Sequence, residues 1–299
     1  MKYFKTLVCL LTLSAIITAN KASAQLNGLQ SIYFLNQYLA NPALAGMEKG
    51  LNVNMGYRQQ WTTIPGGPKL QSLTADYNSG NRVGLGISIT NDQAGLISRT
   101  RIVGTYAYHL QLNDANDERL NFGVSFGAKN NYLDYSKVIG DLDDVQALNY
   151  NQQGVYLDGD LGIAYTSRNF NIQGALPNLK NVLSKTADEL EVDRSVFYTA
   201  ASYKMQDGWL GNFTLEPKVA YRRVKGFDNI FDAGFLLGMP DYKMNFTGFY
   251  HTNESLSLSL GLDLSKVDLL VSYTNNMGPL TAHANNTFEL GVRLKLLRN

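Results

Sequence analysis

The chain has 299 residues, of which 44% are hydrophobic and 17% charged, with a formal net charge of +1. A charged fraction below the ~25% of a typical soluble domain, with ordinary apolar content, excludes a disordered or acidic tail protein. The near-neutral balance and the absence of a basic cluster exclude nucleic acid as a partner.

The N-terminus reads as a leader. Lys2 and Lys5 give a basic start, Thr6 to Ala19 an apolar stretch, and Ala22-Ser23-Ala24 a small-residue cleavage pattern, so residues 1–24 are expected to be a signal peptide. Its removal also takes Cys9, the one cysteine, and leaves a mature chain without thiol or disulfide chemistry. Residues 25–50 follow without strand alternation and are expected to form a short periplasmic, plug-like segment. No run of ~18 apolar residues occurs beyond the leader, which excludes a helical membrane protein.

From residue 51 to the end, period-two alternation dominates. Val83, Leu85, Ile87 and Ile89 alternate with Gly84, Gly86 and Ser88; Leu256, Leu258, Leu260 and Leu262 alternate with Ser255, Ser257, Ser259 and Gly261. Each such stretch is a strand with one apolar and one small or polar face. The pattern predicts fourteen strands, near 51–60, 69–77, 82–90, 99–110, 119–135, 156–165, 168–175, 195–204, 213–222, 229–238, 242–250, 255–263, 267–274 and 287–296. The segment 119–135 is also long enough for two strands, and 168–175 is unusually polar.

Connections alternate in length. Short turns are expected after even-numbered strands, as at Asn78–Asn81, Thr166-Ser167 and Leu264–Lys266. Longer loops are expected after odd-numbered ones, at 61–68, 91–98, 136–155, 176–194, 223–228 and 275–286, with His251–Glu254 the short exception. With tyrosines near strand ends (Tyr57, Tyr77, Tyr106, Tyr108, Tyr165, Tyr221, Tyr250, Tyr273), this is the pattern of an all-β outer-membrane barrel of about 14 antiparallel strands over residues 51–299. A soluble β-sandwich would alternate in the same way; the leader and the Gly/Ser/Asn-rich face favour the barrel.

Catalytic and metal signatures are absent from the sequence pattern. The three histidines, His109, His251 and His283, are scattered, with His251 and His283 expected in loops; a Ser–His hydrolase is not selected by any spacing. Asp141, Asp143 and Asp144 cluster in one loop but lack the glycine and distal glutamate of an EF-hand, so a solvated loop is the simpler reading. No cofactor or metal ligand set is expected, and the glycines at 84 and 86 are read as permitting close packing toward the lumen.

One region is denser than strand patterning requires: Tyr38-Leu39-Ala40-Asn41-Pro42-Ala43-Leu44-Ala45-Gly46, then Tyr57-Arg58-Gln59-Gln60-Trp61, then Ile64-Pro65-Gly66-Gly67-Pro68. Followed by Gln71-Ser72-Leu73, Val83-Gly84-Leu85-Gly86 and Asn91-Asp92, it resembles the N-terminal signature of the PorP/SprF outer-membrane proteins of the Bacteroidota type IX secretion system. The resemblance implies a fourteen-stranded barrel in the bacterial outer membrane with no enzymatic activity. It implies one of two roles, between which no residue decides: a core component that binds periplasmic or lipoprotein components linking the outer membrane to the machine, or a barrel paired with one large secreted or cell-surface protein, such as a gliding adhesin, whose export or surface attachment it supports. Tyr38, Asn41, Pro42, Leu44, Gly46, Arg58 and Trp61 are the expected partner-serving residues. The rival reading is an outer-membrane transport barrel for a hydrophobic or small polar solute, with residues 25–50 as its plug.

Overall fold

The computed structural model describes residues 36–62, 66–135, 151, 154–183, 195–206, 211–224, 228–277 and 286–298. Residues 1–35, which include the expected leader, lie outside them, as do Asp141, Asp143, Asp144 and His283.

Fourteen strands close into one antiparallel barrel in chain order, with the first strand pairing the last. They are β1 (Leu51–Gln60), β2 (Lys69–Asn78), β3 (Val83–Ala94), β4 (Ile97–Asn113), β5 (Glu118–Leu133), β6 (Val155–Thr166) and β7 (Phe170–Leu176). The second half comprises β8 (Ser195–Tyr203), β9 (Thr214–Val224), β10 (Ile230–Met239), β11 (Met244–His251), β12 (Ser255–Asp263), β13 (Val267–Asn276) and β14 (Thr287–Leu296). The seam runs from Leu51 opposite Leu296 to Gln60 opposite Thr287, so no edge is left unpaired within the wall.

The two weakest strand expectations hold, and three expected connections need correction. The 119–135 segment is one strand, because β5 stays in register with β4 along nearly its whole length. The polar 168–175 segment does form a strand, held between β6 and β8. The expected loop 91–98 is absent: β3 and β4 extend through Asn91–Gln93 and Arg99 and turn at Gly95-Leu96, where Gly95 takes φ +58°. Polar side chains on that extension hid it from a pattern search. His251 closes β11 rather than lying in a loop. The connection from β8 to β9 is longer than its short-turn neighbours, spanning 204–213.

The two faces are inverted relative to a soluble sandwich. On β12, Leu256, Leu258, Leu260 and Leu262 point outward and are exposed, whereas Ser255, Ser257 and Ser259 are buried inside. The same holds for Phe122, Val124 and Phe126 against Asn121 and Ser125 on β5. An outward apolar belt this continuous needs a nonpolar solvent to cover it. Exposed Tyr77, Tyr108 and Tyr203 sit toward the short-turn end and Tyr250 and Tyr273 toward the other, as amphipathic rings do at membrane interfaces. Closure supplies every wall strand with partners on both sides, which a bilayer core demands. At 17 and 16 residues, β4 and β5 exceed the ~9–11 that a tilted strand needs to cross a bilayer, so this part of the wall stands above it.

Candidate functional site

The interior is not an empty pore. Residues 36–47 enter it as a strap of two 3₁₀ turns, Gln37–Leu39 and Pro42–Leu44. Asn41 starts the second turn: its backbone is extended, its side chain accepts from the Ala43 N–H at 3.0 Å, and Pro42 supplies the fixed φ of a first helical position. Apolar character then places the strap: Tyr38, Ala40, Ala43, Leu44 and Ala45 are all buried.

The wall receives the strap on bare backbone. A Cβ added at Gly123 would lie 2.2 Å from Ala43 N, and one at Gly162 would lie 2.0 Å from Asn41 Oδ1. Gly86 faces the Tyr38 ring in the same way. Gly84 and Gly86 on β3, Gly123 on β5 and Gly162 on β6 thus form a trough for the strap rather than a smooth lumen.

Hydrogen bonds fix its register. Asn36 donates to Thr74 Oγ1 at 2.8 Å, and the Tyr38 hydroxyl donates to Thr105 Oγ1 at 2.8 Å. Burial raises the Tyr38 phenol above its ordinary pKa, so it remains a donor. Asn171 and Gln173 of β7 both donate to Gln37 Oε1, at 2.9 and 3.0 Å. Where the strap leaves the trough, Gly46 N–H donates to Asp76 at 3.0 Å and Asn78 donates to Gly46 O at 2.7 Å. Glu48, at the mouth, pairs with Arg293 and Arg298.

Of the expected partner-serving residues, Tyr38, Asn41, Pro42, Leu44 and Gly46 come together in this trough. Arg58 and Trp61 do not join them. Arg58 faces the interior near the far end of β1, buried, with Nη2 3.4 Å from Gln60 Oε1. Trp61 follows at the long-loop end, at φ +51°, its N–H donating to Asn286 O at 3.2 Å.

Two cavities flank the strap at the short-turn end. One of about 200 Å³ is lined by Tyr38, Leu44, Glu48, Asn52, Asp76 and Arg293. A second, of about 480 Å³, reaches Asn54, Asn245, Asp263, Asp268 and Lys295. On the other side of the lumen, Arg101 bridges Asp158 and Asp160 at 2.9 and 2.8 Å, and backbone N–H groups of Asn178 and Lys180 donate to the same carboxylates. A five-residue helix, Leu179–Leu183, is thereby folded against β6.

Sequence reasoning missed a polar relay across β9 to β13. His251 Nδ1 lies 2.5 Å from Asp232 Oδ1, and its Nε2 lies 2.8 Å from Ser257 Oγ. Arg222 holds the other oxygen of Asp232 at 2.7 Å, and Thr274 Oγ1 is 2.7 Å from Ser257. The distances are those of a nucleophile, a base and an orienting acid. Yet Ser257 is 1% exposed, its hydroxyl is shared with Thr274, and neither cavity reaches it. The relay therefore ties strands together across the inner wall. Its members lie 6 to 19 residues apart on neighbouring strands, a spacing that only the register reveals.

Among solved structures, the chain is similar to the CymD monoaromatic hydrocarbon channel, with 15% identity and a TM-score of 0.50 over 87% of this chain and 92% of that one. It is also similar to Omp33 of Acinetobacter baumannii (10% identity, TM-score 0.47, covering 84% and 99%) and to outer membrane phospholipase A of Escherichia coli (12%, 0.39, 82% and 92%). At such identities the likeness is one of fold alone. No curated protein matches. The family model of the type IX secretion system membrane protein PorP/SprF matches residues 22–294. A match over nearly the whole chain, on a closed barrel with an apolar outer belt, places this protein in the outer membrane as a member of the PorP/SprF family of type IX secretion.

Proposed function

We propose that this protein is a non-catalytic barrel that supports the export or surface attachment of one large partner protein, such as a gliding adhesin, by type IX secretion. The observation that carries the reading is the family match across residues 22–294. The occupied lumen supports it: a barrel whose interior holds its own strap is better suited to scaffolding than to free diffusion. In this reading residues 1–24 are the leader, 25–50 lie at the periplasmic mouth, and 51–299 form the wall. Tyr38, Asn41, Pro42, Leu44 and Gly46 serve the partner by fixing the strap, and so the mouth around Glu48 and Lys49 that periplasmic or lipoprotein components meet. Arg58 and Trp61 serve it at the opposite mouth.

The cavities beside the strap favour one rival, passage of a hydrophobic or small polar solute. Affinity purification from detergent-solubilised outer membrane separates the two. Co-purification of a very large exported protein is expected. Solute uptake by reconstituted vesicles, with no exported protein retained, would overturn the reading in favour of transport.

A further inference from the structure

His109 stands on β4 where the strap ends, buried between strap and wall. Its Nδ1 lies 2.8 Å from Asn121 Oδ1, and its Nε2 lies 3.0 Å from the carbonyl oxygen of Ala45. The Asn121 amide is oriented by its own donors: Nδ2 donates to Ala164 O at 3.2 Å and to Thr166 Oγ1 at 3.0 Å, which turns Oδ1 toward the ring. A backbone carbonyl only accepts. Both ring nitrogens therefore face acceptors, and a neutral imidazole has a single N–H. The charged ring satisfies both; the neutral ring leaves one nitrogen lone pair against an oxygen. Gly84 keeps this contact open, since a Cβ there would lie 1.9 Å from Ala45 O and 2.9 Å from His109 Nε2.

We propose that residues 36–47 form a proton-operated gate. With His109 charged, the ring clasps Ala45 and the strap stays in its trough; as the proton leaves, the clasp loses a donor and the strap loosens toward the short-turn mouth. The other charged groups around this end are Arg82 in the turn before β3, whose carbonyl accepts the His109 backbone N–H at 2.7 Å, Asp76 on β2, Arg119 on β5, Arg293 on β14, Glu48 on the strap side and Arg298. The facing positions of β3 and β6, Gly84 and Ala164, carry no charge. Asp76 acts with the opposite sign: protonating its carboxylate weakens its hold on the Gly46 N–H, so acid would loosen the strap through Asp76 and tighten it through His109.

The test places a single cysteine behind the strap. Ser125 is buried, with its hydroxyl 2.7 Å from Thr105, which in turn receives the Tyr38 hydroxyl. In purified mature barrel carrying Ser125→Cys and Asp76→Asn, whose amide oxygen still accepts from Gly46 while the opposing carboxylate titration is removed, modification by a small charged thiol reagent is followed between pH 5 and pH 8, the window of histidine titration. Rates are divided by those of the exposed Ser79→Cys control, which removes the pH dependence of the thiol itself. The corrected rate is expected to rise about fivefold across the window, the factor of one hydrogen bond, and to become flat in His109→Gln. Fast labelling at both pH values is expected in Gly123→Val, where the trough is filled. A flat corrected rate in the barrel with His109 intact overturns the proposal, whether or not the His109 variant inserts. So does a pH dependence that persists in His109→Gln.

Discussion

Asn41 of the strap donates its side-chain amide to Gln173 Oε1 of β7 at 3.3 Å, across 132 residues of sequence, while its Oδ1 caps Ala43. One side chain thus starts the local turn and anchors it to the wall. Asn41→Ala removes a cap worth ~1 kcal/mol and leaves buried acceptors unpaired at a further ~1–3 kcal/mol. The heat-modifiable barrel is expected to unfold at lower temperature or denaturant, by about 2–3 kcal/mol in all. An unchanged midpoint would mean that the strap does not contribute to barrel stability.

Glycine position should matter by face. At Gly123 a new Cβ meets Ala43 N and the Pro42 carbonyl within 2.5 Å, whereas at Gly104, on the adjacent strand, the nearest atom is 4.0 Å away. Gly123→Val is expected to expel the strap and expose the bond after Lys49 to trypsin, because overpacking of ~1–3 kcal/mol cannot relax against backbone. Gly104→Val should leave trypsin sensitivity unchanged. Equal cleavage in both variants would contradict the trough.

On the outer face, Leu258→Arg is expected to impair assembly, a basic residue at the midplane of a barrel costing ~2–4 kcal/mol. From sequence alone, Ser257→Arg would be the milder change, as a residue in a wet lumen. The structure reverses that expectation, because Ser257 is wedged between His251 and Thr274. Both variants should therefore show reduced heat-modifiable barrel in outer-membrane fractions, and a fully assembled Ser257→Arg protein would argue against the relay.

Orientation follows from the connections. With Ser79 on the short-turn end and Thr252 on the opposite hairpin, single cysteines at these positions should differ on intact cells. Thr252→Cys is expected to react with an impermeant thiol reagent and Ser79→Cys only after the outer membrane is opened. The reverse pattern would invert the barrel.

The wall was legible in the sequence because alternation is a local property. Leu256 to Leu262 declare an outward face whatever the other strands do, and β1 matches its expected range residue for residue. Strand ends were harder to read where the wall rises beyond the apolar belt. Asn91, Asp92 and Arg99 pair in register on β3 and β4 while looking like loop residues. The interior was largely illegible, since its contacts join residues distant in sequence. Neither His109 with Ala45 nor Asp232 with His251 is signalled by spacing, and each exists only once the register is fixed. The interleaved glycines of β3 gave the one sequence hint that something lies close against the inner wall.

The strap's attachments are unevenly distributed around the barrel. Among the described residues its hydrogen bonds to Thr74, Asp76, Thr105, His109, Ile163, Asn171 and Gln173 all go to strands β2 through β7, whereas the other side is met by packing of Ala40 with Tyr198, Ala200, Ala220 and Phe249 and by the exposed pair of Glu48 with Arg293 on β14. The strap thus ties neighbouring strands of the wall to one another through the lumen, by contacts that lie outside the backbone ladder. β1 follows it directly after Gly50 and pairs β14 at the seam, so the strand that closes the ring carries the same tether. The strap is therefore an internal brace: a change that unseats it slackens the N-terminal half of the wall and the seam together.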